Sequence, residues 1–258
     1  MRSPLSITFS VWKAIFLREA IDRLFDMRAA WFWLLMEPVF HIGFIVFIFT
    51  VVRIRTISGI DVALWIIVGM LSFFLFRRTA LQVMYAVDSN QPLFAYRQVK
   101  PVDTALVRGG LEAFLMAIIS TVVLIIATLL GHATLPDNPL LVLQGLGWLW
   151  FIGLGYGLVA SVLMVLGPEL EHILKMLMMP LYLISGVIFP IAAVPNPYRD
   201  LLLMNPIAHG LEAVRSGFSA YYHVAPELSM SYLSGFALVG TFLGLALHRR
   251  YSLRLVTK

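Results

Sequence analysis

Long apolar runs separated by short charged segments organise this chain. They lie roughly at Trp31–Val52, Val62–Phe76, Ala105–Leu130, Leu140–Leu166, Ile173–Ile191 and Tyr232–Leu247. A hydrocarbon core about 30 Å thick takes roughly 20 helical residues, and four of the runs supply that length outright. The second and sixth are short and reach the interfaces through flanking residues, with Arg77 and Arg78 snorkelling their charges outward. The pattern predicts an all-α, polytopic integral membrane protein with six transmembrane helices in a single transmembrane domain spanning 1–258. Ahead of the first run, Leu17–Met27 is amphipathic at helical period. Leu17, Ala20, Ile21, Leu24 and Met27 share one face, and Arg18, Glu19, Asp22, Arg23 and Asp26 the other. The segment 1–30 is therefore expected to form a cytoplasmic interface helix, lying on the membrane or against a soluble partner.

Charge orients the map. Numbering the connections alternately puts fifteen of the nineteen Lys and Arg residues on one side: Arg2, Lys13, Arg18, Arg23, Arg28, Arg77, Arg78, Arg97, Lys100, Arg108, Lys175, Arg249, Arg250, Arg254 and Lys258. Only Arg53, Arg55, Arg199 and Arg215 fall on the other. By the positive-inside rule both termini are expected in the cytoplasm. A chain that is 60% apolar and 13% charged must present most of its apolar surface to lipid or to other helices. Its pI near 9.6 reflects basic residues bordering the spans, so membrane lipid rather than nucleic acid is the expected partner. With no cysteine there is no disulfide, thiol nucleophile or thiolate metal site. Met1–Arg28 is interrupted by charge and does not read as a cleavable signal peptide.

Several segments carry candidate chemistry. The first span bears Glu37, Pro38 and His41 close behind Trp31 and Trp33. A carboxylate inside a membrane helix costs roughly 2.5–3.5 kcal/mol on insertion scales, so Glu37 faces a partner or wet cavity, or else sits in the headgroup layer. Pro38 removes a helical hydrogen bond and is expected to kink the span. Between spans two and three, the loop Tyr85–Arg108 contains a short helix capped by Asp88, Ser89 or Asn90 and halted by Pro101. Such a helix would present Leu93, Phe94 and Tyr96 among charges, as a docking surface for a soluble protein or a segment folded back on the membrane. Span four is rich in glycine (Gly145, Gly147, Gly153, Gly155 and Gly157), which lets helix backbones approach closely, first of all within the fold. The turn Gly167–His172 is assigned to solvent or partner contact. In the external segment 190–229, Arg199–Met204 and Ile207–Tyr221 are helical and too short to cross, with Asn205-Pro206 as a helix start. They are expected to dip partway into the outer leaflet as two short re-entrant helices.

Other signatures are missing. No G-x-x-x-x-G-K-[ST] loop occurs, so the chain is not expected to hydrolyse a nucleotide unaided. The six histidines are scattered, no metal site is expected, and no nucleophile triad or elbow is present. Mid-span carboxylates are nearly missing, with Asp61 and Glu112 near span ends, which argues against an ion-coupled carrier. The reading is a membrane pathway that draws energy from elsewhere.

The stretch Asn90-Gln91-Pro92-Leu93-Phe94-Ala95-Tyr96-Arg97-Gln98-Val99-Lys100-Pro101-Val102-Asp103-Thr104 resembles the cytoplasmic coupling segment of the KpsM-like family. These are the membrane subunits of capsular-polysaccharide ABC exporters of Gram-negative bacteria. Phe16-Leu17-Arg18-Glu19, Leu35-Met36-Glu37-Pro38, Pro180-Leu181-Tyr182 within Lys175–Pro190, and Asn205-Pro206 are similar too, so the resemblance covers essentially the whole chain. At Met27-Arg28-Ala29-Ala30 the family more often carries an aromatic-glycine pair.

The resemblance implies a homodimeric pore in the bacterial inner membrane, driven by two copies of a separate ATPase subunit that holds ATP and Mg2+; this chain would hold no cofactor. Segment 85–104 would be the coupling loop, with Asn90, Gln91, Leu93, Phe94, Tyr96, Arg97 and Lys100 meeting the ATPase. The cargo would be a lipid-linked acidic polysaccharide, passed to a periplasmic adaptor and an outer-membrane channel. Sugars stack on aromatic rings, so Trp31, Trp33, Phe40, Phe44 and Tyr182 are candidate lining residues, with Glu37 and His41 orienting hydroxyls. Arg23 and Arg28 are candidates for the anchor headgroup. Interhelical packing or an interfacial belt is the alternative for each aromatic. The rival functions are an ABC permease for another glycan such as O-antigen or teichoic acid, or for a small drug; a membrane-bound lipid-sugar enzyme; and a passive channel.

Overall fold

The computed structural model describes residues 4–25, 28–52 and 56–257. Arg2, Asp26, Met27, Arg53, Arg55 and Lys258, named in the charge map or the amphipathic face, lie outside them. The described residues are predominantly helical, with almost no sheet. It runs α1 (Pro4–Phe25), α2 (Ala30–Val51), a two-stranded antiparallel hairpin of β1 (Thr56–Ile57) and β2 (Ile60–Asp61), then α3 (Val62–Met84) and α4 (Ala86–Ser89). A 3-10 turn at Gln91–Ala95 leads to α5 (Pro101–Leu129) and α6 (Pro139–Leu166). There follow α7 (Leu170–Met176), α8 (Met178–Ile184), α9 (Tyr198–Leu203), α10 (Pro206–Phe218), α11 (Met230–Arg250) and α12 (Ser252–Val256).

Among the described residues, α2, α3, α5, α6 and α11 are long and apolar enough to cross a membrane. The second span is longer than its apolar run, because α3 continues through Arg77, Arg78 and Gln82 to Met84. The fifth predicted span, Ile173–Ile191, does not form one long helix. Pro180 has no N–H and its ring crowds the carbonyl four residues back, at Met176, where α7 ends and α8 takes over. Helical geometry continues through Leu177, then stops at Gly186, whose φ of 70° lies in the left-handed region. The stretch 170–184 rises only about 22 Å, short of a full crossing.

α3 forms the centre. It is apolar all round as far as Phe76, buried along most of its length, and packed on α6, α5, α10 and α2. Four of the five glycines named in α6 serve close packing, Gly153 and Gly157 against α3, Gly145 against α10 and Gly155 against α11, whereas a Cβ on Gly147 would meet nothing within 4 Å. A Cβ on Gly157 would sit 2.8 Å from the Ala80 carbonyl oxygen of α3, and one on Gly155 2.7 Å from the Thr241 amide of α11. By contrast α2 and α11 are largely exposed, as expected of helices that meet lipid or another chain.

The connection after α3 differs from expectation. Pro101 does not halt a helix; it opens α5 at its first turn, with Asp103 reaching back to the Lys100 amide at 3.1 Å. The loop therefore ends at Lys100, not near Arg108. α1 also divides its faces differently. Phe9, Leu17, Ile21 and Phe25 form an outward apolar row, while Ile15 and Glu19, from the opposite side, are buried. The Trp12 indole donates to Asp103 Oδ1 at 2.9 Å. Part of the charged face of this helix is therefore its attachment to the domain. Ala29, between α1 and α2, takes φ 62°, a conformation glycine adopts more easily.

Candidate functional site

Two facing stripes build a cleft between α2 and α3. Ala30, Trp33, Leu34, Glu37, Pro38 and His41 recur at helical period along α2, and Phe74, Arg77, Arg78, Leu81 and Gln82 do so along α3. With Arg23 from α1 they enclose about 350 Å3. Arg23, Trp33, Glu37 and His41, four of the path and headgroup residues expected from the sequence, thus converge on one cavity. Tyr182 lies behind it: its ring is 6.4 Å from that of His41 and 5.2 Å from Phe73, and its buried hydroxyl has no hydrogen-bond partner among the described residues. Trp31, Phe40 and Phe44 are not brought to the cleft. They are exposed, Phe40 to 75%. Arg28 is also exposed and outside it.

A buried ion cluster floors the cleft. Glu112 of α5 is fully buried and accepts from Arg23 and from Arg78, the latter at 3.2 Å. Arg23 also donates to Gln82 Oε1 at 2.6 Å. Burial pushes the Arg23 guanidinium below its ordinary value, and the Glu112 carboxylate is the largest opposing influence. A second cluster adjoins it, where Arg108 donates to both oxygens of Glu19 at 2.9 and 2.8 Å. Asn90 donates to Glu19 at 2.7 Å and to the Ala86 carbonyl at 2.9 Å, and accepts from Arg18. These two clusters bolt α1 to α3, α4 and α5.

The knuckle 85–100 sorts the expected contact residues by depth. Asn90 is buried in the second cluster. Gln91 donates to the Leu255 carbonyl at 3.1 Å, tying the knuckle to α12. Phe94 does not stand out as an exposed aromatic: it is 8% exposed and packs with Val87, Val162 and Leu255. Tyr96 is 67% exposed, Arg97 and Lys100 are exposed, and Leu93 is half-buried. Asn90 does not cap the 3-10 turn that follows it, because its side-chain oxygen, the group able to cap, accepts from Arg18.

Away from the cleft, α10 is buried through almost its whole length. Asn205 caps it by accepting from the Ile207 amide at 3.0 Å, with Pro206 in the first turn, as the sequence suggested. Its core carries an unforeseen group of charges. Arg215 and Glu212 are both fully buried and paired at 3.3 Å. Arg215 lies 3.6 Å over the Trp65 ring and donates to the carbonyls of Gly186 and Val187 at 2.8 and 2.9 Å. Tyr222 donates to Glu212 at 2.9 Å. The i, i+3 spacing of Glu212 and Arg215 was the available sequence signal. Among the described residues no group of three or more His, Cys, Asp or Glu side chains is placed to hold a metal ion.

Comparison with known proteins decides the family, because the model of the ABC-2 type transporter matches residues 10–219. The chain belongs to the ABC-2 type transporter membrane family. The match takes in the cleft, both charge clusters, the knuckle and α10. The chain is 32% identical over 248 residues to the polysialic acid transport protein KpsM of Escherichia coli, covering 96% of each. It is 27% identical over 217 residues to the capsule polysaccharide export inner-membrane protein CtrC of Neisseria meningitidis serogroup B, covering 83% of this chain and 81% of that one. It is also 24% identical over 251 residues to the capsule polysaccharide export inner-membrane protein BexB of Haemophilus influenzae, covering 97% and 94%.

Proposed function

We propose that this chain is the transmembrane subunit of an ATP-driven exporter that moves a lipid-anchored acidic polysaccharide across the bacterial inner membrane. Two copies form the conduit, and two copies of a separate ATPase, which binds ATP and Mg2+, supply the work. The observation that carries this reading is the near full-length similarity to the polysialic acid transport protein KpsM. Further support comes from a cleft that combines an exposed indole, a carboxylate and guanidinium groups, the chemistry needed to hold an acidic sugar polymer. The exposed Tyr96, Arg97 and Lys100, with Leu93, form the ATPase contact. Asn90, Gln91 and Phe94 anchor that contact from within, so that a push on the knuckle passes through Glu19 to α1. α7–α8 and the residues that follow Gly186 complete a sixth crossing, so both termini face the cytoplasm, and α9–α10 dip into the outer leaflet. A periplasmic adaptor and an outer-membrane channel receive the polymer.

The test is purification of the tagged full chain from its native membrane. A copurifying nucleotide-binding chain is expected, with ATP hydrolysis by the complex and none by the separated subunit. ATP turnover by the single chain, or normal surface polysaccharide after deletion of its gene, overturns the reading.

A further inference from the structure

The cleft holds three guanidinium groups, and they are not equivalent. Arg23 and Arg78 both donate to the buried Glu112 carboxylate and line the floor as parts of a neutralising cluster. Arg77, the next residue on α3, lines the same cavity, is exposed, and has no ion pair or hydrogen bond among the described residues. Glu37 lines the cleft too, but no salt bridge joins it to Arg77. A guanidinium that is held on a rigid central helix and left uncommitted is a preformed fork for a phosphate or carboxylate. Trp33 stands in the same cavity, 66% exposed, offering a ring face to a sugar. From Ala30 to His41 the α2 stripe rises about 16 Å from the cytoplasmic end of the span. The cavity volume of about 350 Å3 lies within the range of roughly 300–1,000 Å3 usual for small-ligand sites.

We propose that Arg77 is the anion-recognising residue of the α2–α3 cleft, gripping the phosphate or carboxylate of a glycolipid while Trp33 stacks on the adjoining sugar. Of the two residues expected in that role from sequence, Arg23 is instead committed to Glu112 and Gln82, and Arg28 lies outside the cleft. The proposal deepens the exporter reading and rests on it for the nature of the cargo, but its test needs neither ATPase nor transport.

The experiment uses the full chain in phosphatidylcholine nanodiscs, with phenylglyoxal modification of arginines read by peptide mass spectrometry. Arg77 is expected to react readily, and to be protected by added phosphatidylglycerol if lipid phosphate is the ligand, or by soluble glucuronic acid if the sugar acid is. Arg28, exposed outside the cleft, serves as the control and is expected to stay unprotected; glucose is expected to protect neither. In parallel, Arg77→Gln should lower retention of the protecting probe about tenfold, the size of one lost charge-assisted hydrogen bond, and Arg77→Lys should restore part of it. An unreactive Arg77, no protection by either acidic probe, equal protection of Arg28, or full retention by Arg77→Gln each overturns the proposal and leaves the exporter reading standing. Failure of the ATPase copurification, with Arg77 protected, removes the exporter reading alone.

Discussion

Replacing Glu112 by Gln should loosen the attachment of α1 to the membrane domain. The carboxylate is fully buried on α5 and is shared by Arg23 from α1 and Arg78 from α3. Gln keeps the shape and one acceptor oxygen but removes the charge that balances two guanidiniums. Breaking a completely enclosed ion pair costs about 3–5 kcal/mol. Here the arginine side chains remain 17% and 20% exposed, so they can turn toward the cleft and recover some hydration. The lower end of the range, about 3 kcal/mol, is therefore the expected loss. Reversible unfolding in mixed micelles measures it, and hydrogen exchange over 4–25 reports whether α1 is the part released. In the double variant Arg23→Gln with Glu112→Gln, part of the loss should return, because one unbalanced cation has gone. A loss below about 1 kcal/mol, the worth of an ordinary exposed pair, together with unchanged exchange in α1, would refute this account of the cleft floor.

Phe94→Asp and Tyr96→Asp should separate anchoring from contact. The first buries a carboxylate among Val87, Val162 and Leu255, and should lower the amount of protein in the membrane. The second, at an exposed site, should leave abundance unchanged but abolish ATPase copurification and export; equal abundance of both variants, or normal export with Tyr96→Asp, would contradict the assignment of depths. Gly157→Leu should push α6 off α3, where even a Cβ would lie 2.5 Å from that of Val83, and cost about 1–3 kcal/mol or more by overpacking; an unshifted melting temperature would show that the interface can give way. Arg215→Met removes four interactions and leaves the buried Glu212 with its Tyr222 hydrogen bond but no counter-charge, for an expected loss of about 3–5 kcal/mol. If the variant melts like the parent, α10 is not held by that charge network.

Some of this molecule follows from local chemistry. The full-length spans, the Asn205-Pro206 helix start and the close-packed glycine face of α6 could be read from the sequence. Hydropathy, capping and small-residue spacing act over a few residues and need no knowledge of neighbours. Two departures trace to proline, whose meaning depends on which side continues: Pro180 divides α7 from α8 in the fifth predicted span, which then stops at Gly186, whereas Pro101 starts a helix instead of ending one. The site is another matter. That Trp33, Glu37 and His41 sit together follows from helical period. That they face Arg77, that Arg23 is taken by Glu112, and that Phe94 turns inward while Tyr96 turns outward all depend on partners far along the chain, such as Glu112 on α5 and Leu255 in α12. Burial of charge shows the division most clearly. In sequence Glu19, Glu112 and Arg215 are ordinary polar letters, and only their distant partners (Arg108, Arg23 with Arg78, and the Gly186 and Val187 carbonyls) make their burial affordable in a low-dielectric interior.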